Sequence, residues 1–410
     1  MRILLLRQWF EPEPVVFKGL YFAHELERRG HHVEVLTGFP NYPEGKLYPG
    51  YRLRPWQRET IEGILVHRVP LYPSHDRSAI RRIANYASFG ASAASLGPLL
   101  VKRPDVIYVY NLVTLGMAAS LFRQLKGSAV VYDIQDLWPE SVAMSGMLKH
   151  RWALRLLGRW CDRIYRRADH VVTLSPGITE ELQRRGVPGE RVTTIYNWCD
   201  ERAVRPHPRD TALAKSLGLA DGFNVMFAGN MGLAQALDAV LETAARLHES
   251  HPTIRFVFVG GGVERDQLES AAQDRALRNV VFLPRQPMEA MGPILALADV
   301  LLVHLKDDPL FRITIPSKTQ AYLAAGRPVL MGVKGDAARL VELSGGGFVC
   351  EPENPVSIAE GVLRAYHLSD AEREAMGRAG RAFYQRELSL EAGVTRFEQV
   401  FQRVTPETGQ

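Results

Sequence analysis

Short apolar runs followed by stretches of helical spacing recur along this chain, stop across residues 200–222, and then begin again. In the first half the runs fall at 3–6, 33–36, 64–69, 106–110, 129–132, 171–174 and 192–196. In the second half they fall at 225–228, 254–259, 280–283, 300–303, 329–331 and 347–350. Apolar strands alternating with helices predict parallel sheets covered on both faces. One such helix is expected at 17–29, ended by Gly30. The interruption at 200–222 is rich in charge, proline and small residues and fits a linker. The expectation is an α/β chain of two doubly wound, Rossmann-like domains, residues 1–200 and 201–387, followed by a C-terminal segment 388–410. Ligand is expected where the strand C-termini face a central cleft. The last helix, 390–404, carries Ala392, Val394, Phe397, Val400, Phe401 and Val404 as an apolar stripe. It packs on its own domain or crosses back to the first.

At 410 residues, with 46% hydrophobic and 23% charged side chains, the chain has core for two or three ordinary domains. No run of about eighteen apolar residues offers a membrane span. The opening residues Met1 to Leu6 lack the length and cleavage site of a signal peptide and read as a buried first strand. Cys161, Cys199 and Cys350 are too widely spaced for a disulfide framework or a metal cluster. A cytoplasmic protein is the expectation. The net charge of +5 permits an anionic partner: nucleic acid, acidic lipid or a phosphorylated small molecule. Zinc-ligand spacing, an aromatic RNA-binding signature and a basic tail are all missing, so nucleic acid is not expected.

The segment Thr314-Ile315-Pro316-Ser317-Lys318-Thr319 follows an apolar run and a polar loop, and Gly326 closes the helix it opens. Proline at a helix start sacrifices no hydrogen bond. The free N–H groups after it, with Lys318 beside them, suit a phosphate. An ordinary helix cap is the competing explanation.

Three segments together carry a family pattern. Ala168-Asp169-His170-Val171-Val172-Thr173-Leu174-Ser175 precedes Tyr196-Asn197-Trp198-Cys199-Asp200; Phe227-Ala228-Gly229-Asn230-Met231-Gly232 opens a helix; the third is the Pro316 to Pro328 segment. Residues 37–43 and 136–140 add further echoes. In that order and spacing the chain resembles family 4 glycosyltransferases of the GT-B fold over nearly its whole length. Within that family it looks like the subgroup building bacterial surface polysaccharide, such as colanic-acid and fucosamine transferases. The resemblance implies a sugar-nucleotide donor in the C-terminal domain and an acceptor on the N-terminal domain. It implies retention of anomeric configuration with no metal ion or cofactor, so amide dipoles and cations must stabilise the departing diphosphate.

Against the commoner family pattern, an Arg and a Lys are replaced here by Asn230 and Gln235, and a Glu-x7-Glu pair falls on Ile313 and Ala321. Candidate counter-charges are Lys318, Arg312 and Arg327, with Lys318 preferred beside the Ser317 and Lys318 amides. Gln320 is a candidate for the ribose. By position in the family, Gly19, Gly229, Gly261, Arg285 and Pro316 complete the donor set, Gly261 within the triple glycine 260–262. A plain tight turn explains those glycines equally well. Asp136 or Glu140 serves as base for the acceptor hydroxyl or binds the acceptor; Asp133 lies beside them, and Gln135 stands where relatives place a histidine. A loop carboxylate capping the next turn competes with each.

Within residues 148–167, Arg151, Arg155, Arg159 and Arg163 recur every four residues, with Lys149, Arg166 and Arg167 at the ends. Trp152, Leu156, Trp160 and Ile164 run one residue behind, about 100° round a helix. This is the profile of a helix in an anionic membrane interface, with Trp152, Arg155, Arg159 and Trp160 as its contacts. The stretch 77–103 adds Arg81, Arg82 and an apolar run. A helix whose apolar row packs on the sheet is the alternative.

The resulting expectation is transfer of a hexose or N-acetylated amino sugar from a UDP-sugar to a polyprenyl-diphosphate-linked saccharide. The enzyme would sit peripherally at the inner face of the plasma membrane. A sugar-nucleotide epimerase or hydrolase of the same fold, or a non-catalytic sugar-nucleotide-binding scaffold, is the alternative.

Overall fold

The structure, a computed structural model, describes residues 1–14, 18–75, 78–144, 146–148 and 150–405. The first residue of the helix expected at 17–29, the Arg77 start of the stretch 77–103, Lys149, and the last five residues of 388–410 lie outside the described residues.

The chain divides into two compact units. Unit 1 comprises Met1–Tyr196 and the described part of Gly393–Gln410. Its strands are β1 (Arg2–Leu6), β2 (His32–Gly38), β3 (Gln57–Ile61), β4 (Ile64–Val69), β5 (Val106–Tyr110), β6 (Ala129–Ile134), β7 (His170–Thr173) and β8 (Val192–Thr194). They form one sheet in the order β3-β4-β2-β1-β5-β6-β7-β8, parallel except for β3. The chain starts in the middle of the sheet, winds outward through β2, then crosses to β5. Each of the seven apolar runs of the first half forms a strand.

Strand β3 is the one the pattern missed. Its sequence, QRETI, has no apolar run, and its residues are only partly buried or exposed. It exists because Glu62 and Gly63, at φ 47° and 91°, make a two-residue hairpin turn onto the apolar β4.

The helix Leu390–Val404 contributes its residues from Gly393 onward to unit 1. Phe397 packs 5.2 Å from the Phe22 ring and 5.5 Å from Tyr108, while Glu398 pairs with Arg29 at 3.1 Å and His31 at 2.9 Å. Each buried phenylalanine stabilises the seam by roughly 1.5–3 kcal/mol.

Unit 2, Asn197–Ala392, holds β9 (Phe223–Asn230), β10 (Ile254–Gly261), β11 (Val280–Leu283), β12 (Val300–His304), β13 (Val329–Gly332) and β14 (Gly347–Val349). All pair in parallel, in the order β11-β10-β9-β12-β13-β14. The first strand is again central, and the winding direction reverses between β9 and β12. There the strands splay: β9 pairs with β10 out to Asn230, but with β12 only to Met226. Such a reversal point, at strand C-termini, is where open α/β sheets bind ligands. The segment expected as a linker is ordered, with a helix at Thr211–Ser216 whose N-cap Asp210 accepts from the Ala212 and Leu213 N–H groups. Its charged, short pattern hid that helix.

All three cysteines are buried, and burial pushes each thiol up to about 12, so none is poised as a nucleophile. Among the described residues no helix is long and apolar enough to cross a membrane.

Candidate functional site

The helix Ser317–Ala325 begins after Pro316 and ends at Gly326, whose φ is 69°. The Ser317 and Lys318 N–H groups meet no acceptor among the described residues. Unpaired N–H groups at a helix start carry partial positive charge. Tyr322, one turn on and buried, fixes where that charge points. Its hydroxyl accepts from the Ala228 N–H at 2.8 Å and donates to the Ala228 carbonyl at 3.1 Å, taking the backbone edge that β12 abandons.

Lys318 lies four residues before Tyr322 and so shares its face of the helix. Its Nζ sits 4.5 Å from the centre of the Phe227 ring and against Gly229. A Cβ on Gly229 would come within 2.6 Å of Lys318 Cε, and Gly229 has a φ of 141°. No side chain fits there without moving the lysine. Burial lowers the Lys318 ammonium to about 8, and it pairs with no carboxylate among the described residues. A desolvated, uncompensated cation is stabilised by an arriving anion. The competing cations are placed otherwise. Arg312 is exposed and pairs with Asp307 at 2.8 Å, and Arg327 follows Gly326 at the far end of the helix, about 12 Å along its axis.

Around this point β9 ends in Gly229-Asn230 and β10 in Gly260-Gly261. A Cβ on Gly260 would lie 2.2 Å from the Gly229 carbonyl oxygen, so the two strand ends touch through bare backbone. The Met231 N–H donates to Gly261 at 2.8 Å and the Glu264 N–H to Met231 at 3.0 Å. Gly261 itself faces open space, and Asn230 is exposed beside it. Gln235 Oε1 accepts from the Gly232 N–H at 3.0 Å, which closes the turn after β9. The Gln235 carbonyl accepts from His304 Nδ1 at 2.7 Å, and His304 Nε2 accepts from the Glu353 N–H at 3.0 Å. That geometry requires a neutral imidazole with its proton on Nδ1, and burial lowers its pKa accordingly. Arg265 ties the Gly260 carbonyl to that of Leu283. Arg285 is exposed beyond β11. Gln320 is buried, and its amide nitrogen, oriented to satisfy both, lies 2.9 Å from the Pro316 carbonyl and 3.2 Å from that of Ser317. Tyr322, His304 and Arg265 escaped the sequence reading; only Tyr322 left a signal there, its i+4 spacing from Lys318.

In unit 1, Asn111 holds the loop after β6. Its side-chain oxygen accepts from the Gln135 and Asp136 N–H groups at 3.1 and 2.9 Å, and its amide donates to the Asp136 carboxylate at 2.8 Å. Asp136 remains exposed. Glu140 is instead gripped by Arg185 at 2.5 Å, and the same guanidinium holds Glu181 at 2.8 Å and the Trp138 carbonyl at 2.9 Å. Asp133 is fully buried with Lys18, Oδ2 to Nζ 2.7 Å, and also accepts from Tyr108 and from Gln135 at 2.7 Å. Gly19, beside Lys18, is buried as the N-cap of the helix Leu20–Arg28.

On the helix Arg151–Arg167, Trp152, Leu156 and Trp160 are 68, 61 and 40% exposed, and Arg155 and Arg159 are exposed among them. The helix buries Cys161 and Tyr165 instead, so the tryptophan row does not pack on the sheet.

Two Rossmann-like units, each built on a doubly wound sheet, are the architecture of the GT-B class of glycosyltransferases. Residues 20–198 match the Glycosyl transferase 4-like domain and residues 210–383 the Glycosyl transferases group 1 domain. The chain belongs to this glycosyltransferase family. It is 30% identical over 383 residues to the putative colanic acid biosynthesis glycosyl transferase WcaI of Escherichia coli, covering 89% of this chain and 92% of that one. It is 29% identical over 263 residues to the probable glycosyltransferase WbjE of Pseudomonas aeruginosa, covering 63 and 65%. Among solved structures, HepE of Anabaena in complex with UDP-glucose matches with a TM-score of 0.69 at 16% identity, covering 98% of this chain and 100% of that one. The sucrose-phosphate synthase of Thermosynechococcus elongatus also scores 0.69, at 18% identity, covering 98% of each chain.

Proposed function

We propose that this enzyme transfers a hexose or N-acetylated amino sugar from a UDP-sugar to a lipid-diphosphate-linked saccharide in surface-polysaccharide assembly. The transfer retains anomeric configuration and uses no metal. The observation that carries the reading is Lys318, a desolvated ammonium with no carboxylate partner among the described residues, set beside open helix amides at the β9–β12 reversal. When the bond from sugar to diphosphate breaks, negative charge grows on the leaving phosphate. The Ser317 and Lys318 amides and the Lys318 ammonium are fixed in advance to stabilise it. Gly261 leaves room for the ligand, Gly229 makes room for Lys318, and Asn230 and Arg285 border the same strand ends. Asp136, exposed and among the described residues bound only by the Asn111 amide, is better suited as base for the acceptor hydroxyl than Glu140, which Arg185 neutralises. The names of the WcaI relative and of the HepE complex with UDP-glucose agree with this assignment. The exposed Arg and Trp rows of the helix Arg151–Arg167 are the part that would rest on an anionic membrane surface at the inner face of the plasma membrane.

The test is thermal stabilisation by UDP, GDP, ADP, CMP and UDP-sugars, on wild type and Lys318→Ala. Stabilisation by UDP and its sugars, lost in the variant, is expected. No shift with any nucleotide at millimolar concentration would overturn this reading, whereas stabilisation by UDP-sugars without turnover would favour a non-catalytic sugar-nucleotide-binding scaffold.

A further inference from the structure

Unit 1 contains a hollow of about 730 Å³ between the helices Ala79–Leu100, Gly116–Lys126 and Arg151–Arg167. That volume is in the range of small-molecule sites. It runs inward between the helices to Val130 and Tyr132 of β6, both almost fully buried, so it is deeper than a surface groove. Small and apolar side chains such as Ala119 and Ile164 form most of its walls, with Thr114, Ser120 and Gln124 among them.

The charge at its rim is asymmetric. Arg123 is committed, to the Asp169 carboxylate at 2.7 Å and the Arg167 carbonyl at 2.5 Å. Arg163 and Arg167 also border the hollow, and both are exposed; neither guanidinium has a carboxylate partner among the described residues. Trp160 stands at the same mouth, half exposed. An apolar cavity edged by two free cations and an indole complements a molecule with a hydrocarbon chain and an anionic end. Thr114, Ser120 and Gln124 give it a few polar groups, but most of the surface it offers is apolar, which suits a hydrocarbon chain better than a sugar or a nucleotide base.

We infer that this hollow is a lipid-chain site, which takes the hydrocarbon chain of a single phosphate-bearing lipid and seats the phosphate on Arg163 and Arg167. The inference rests on the membrane-contacting part of the proposed function and adds the place where one lipid enters the protein. An isoprenoid diphosphate and an acyl phosphate lipid share this chemistry.

The experiment uses the full chain and calorimetric titration with two soluble probes below their self-association concentrations, farnesyl diphosphate and an acyl lysophosphatidate. Inorganic pyrophosphate serves as the head-group control. Binding of either probe, with pyrophosphate much weaker, is expected; which probe binds more tightly identifies the chain type. Ala87→Trp, at an exposed position on the rim, and the pair Arg163→Ala with Arg167→Ala should each weaken probe binding by roughly tenfold or more. The pair Arg52→Ala with Arg54→Ala removes equal charge from exposed positions of the same unit away from the hollow and should leave probe binding unchanged. Retained UDP stabilisation reports that each variant is folded. Failure of both probes, equal binding of pyrophosphate, or equal loss in the Arg52 and Arg54 pair overturns the site. Wild-type binding to phosphatidylglycerol vesicles, measured alongside, separates that result from failure of the membrane reading, in which vesicle binding itself is absent.

Discussion

The Tyr322 hydroxyl bridges both backbone groups of Ala228, accepting from its N–H at 2.8 Å and donating to its carbonyl at 3.1 Å. A phenol does here what a neighbouring strand does elsewhere in the sheet. The bridge fixes the Ser317–Ala325 helix to the end of β9, so Lys318 is positioned by the sheet itself.

Replacing Tyr322 with Phe keeps the ring and leaves a buried N–H and carbonyl without partners. Such orphaned groups cost about 1–3 kcal/mol. In a unit of this size each kcal/mol lowers Tm by roughly 2–4 °C. The variant should melt lower by that amount and bind UDP more weakly, because the helix start loses its register. An unchanged Tm in differential scanning calorimetry would show that the bridge holds nothing.

Gly229→Ala addresses the same place from the other side. The alanine Cβ would approach Lys318 Cε to 2.6 Å at a φ of 141°. The lysine has to swing away from the Phe227 ring, and the backbone is strained as well. UDP-induced stabilisation should fall to the level of Lys318→Ala. A Gly261→Ala control, whose added methyl meets no atom within 4 Å, should leave Tm without nucleotide unchanged. Full UDP response in Gly229→Ala would disconnect Lys318 from the diphosphate.

The sheets were legible in the sequence because their information is local: every apolar run became a strand, and Pro316 and Gly326 bounded the helix as their chemistry demands. What was not legible depends on pairings between distant residues. Tyr322 finds Ala228 only because β12 splays from β9, and no pattern within either segment encodes that. Glu140 reads as a free loop carboxylate until Arg185, distant in sequence, folds onto it. The Trp152–Trp160 row was ambiguous because helical spacing gives a stripe without saying which stripe faces in; Cys161 and Tyr165 won that face. Strand β3 has no apolar signature at all and is made by its turn.

The buried pair in unit 1 gives a third prediction. Lys18 and Asp133 are both wholly excluded from solvent, 2.7 Å apart, and burial lowers the lysine pKa even against the pull of the aspartate. Removing one partner strands the other charge, which costs about 3–5 kcal/mol. Lys18→Met or Asp133→Leu alone should therefore shift the urea midpoint sharply. The double variant should recover a large part of that loss, a coupling well outside additivity. Additive losses would mean that Tyr108, Gln135 and the Phe397 ring, 4.9 Å from Lys18 Nζ, hold the charges independently.

The depressed Lys318 pKa makes nucleotide binding pH-dependent in a defined direction. In the unliganded fold the ammonium titrates at about 8, whereas an ordinary lysine titrates near 10.4. Between those values the unfolded chain holds more protons than the fold, so this group makes the unliganded protein more stable as pH rises through that window. The diphosphate acts in the opposite sense. It requires the charged lysine, so above about pH 8 binding must also take up a proton, and affinity falls by up to about tenfold per pH unit until the lysine in the complex titrates. The phosphates themselves change little there, their last pKa lying near 6. The difference in Tm with and without UDP should be full at pH 7, decline from pH 8, and be small at pH 9.5. In Lys318→Ala it should be small and flat across the range. A wild-type response as large at pH 9.5 as at pH 7 would remove Lys318 from the phosphate site and leave the helix amides to hold the charge alone.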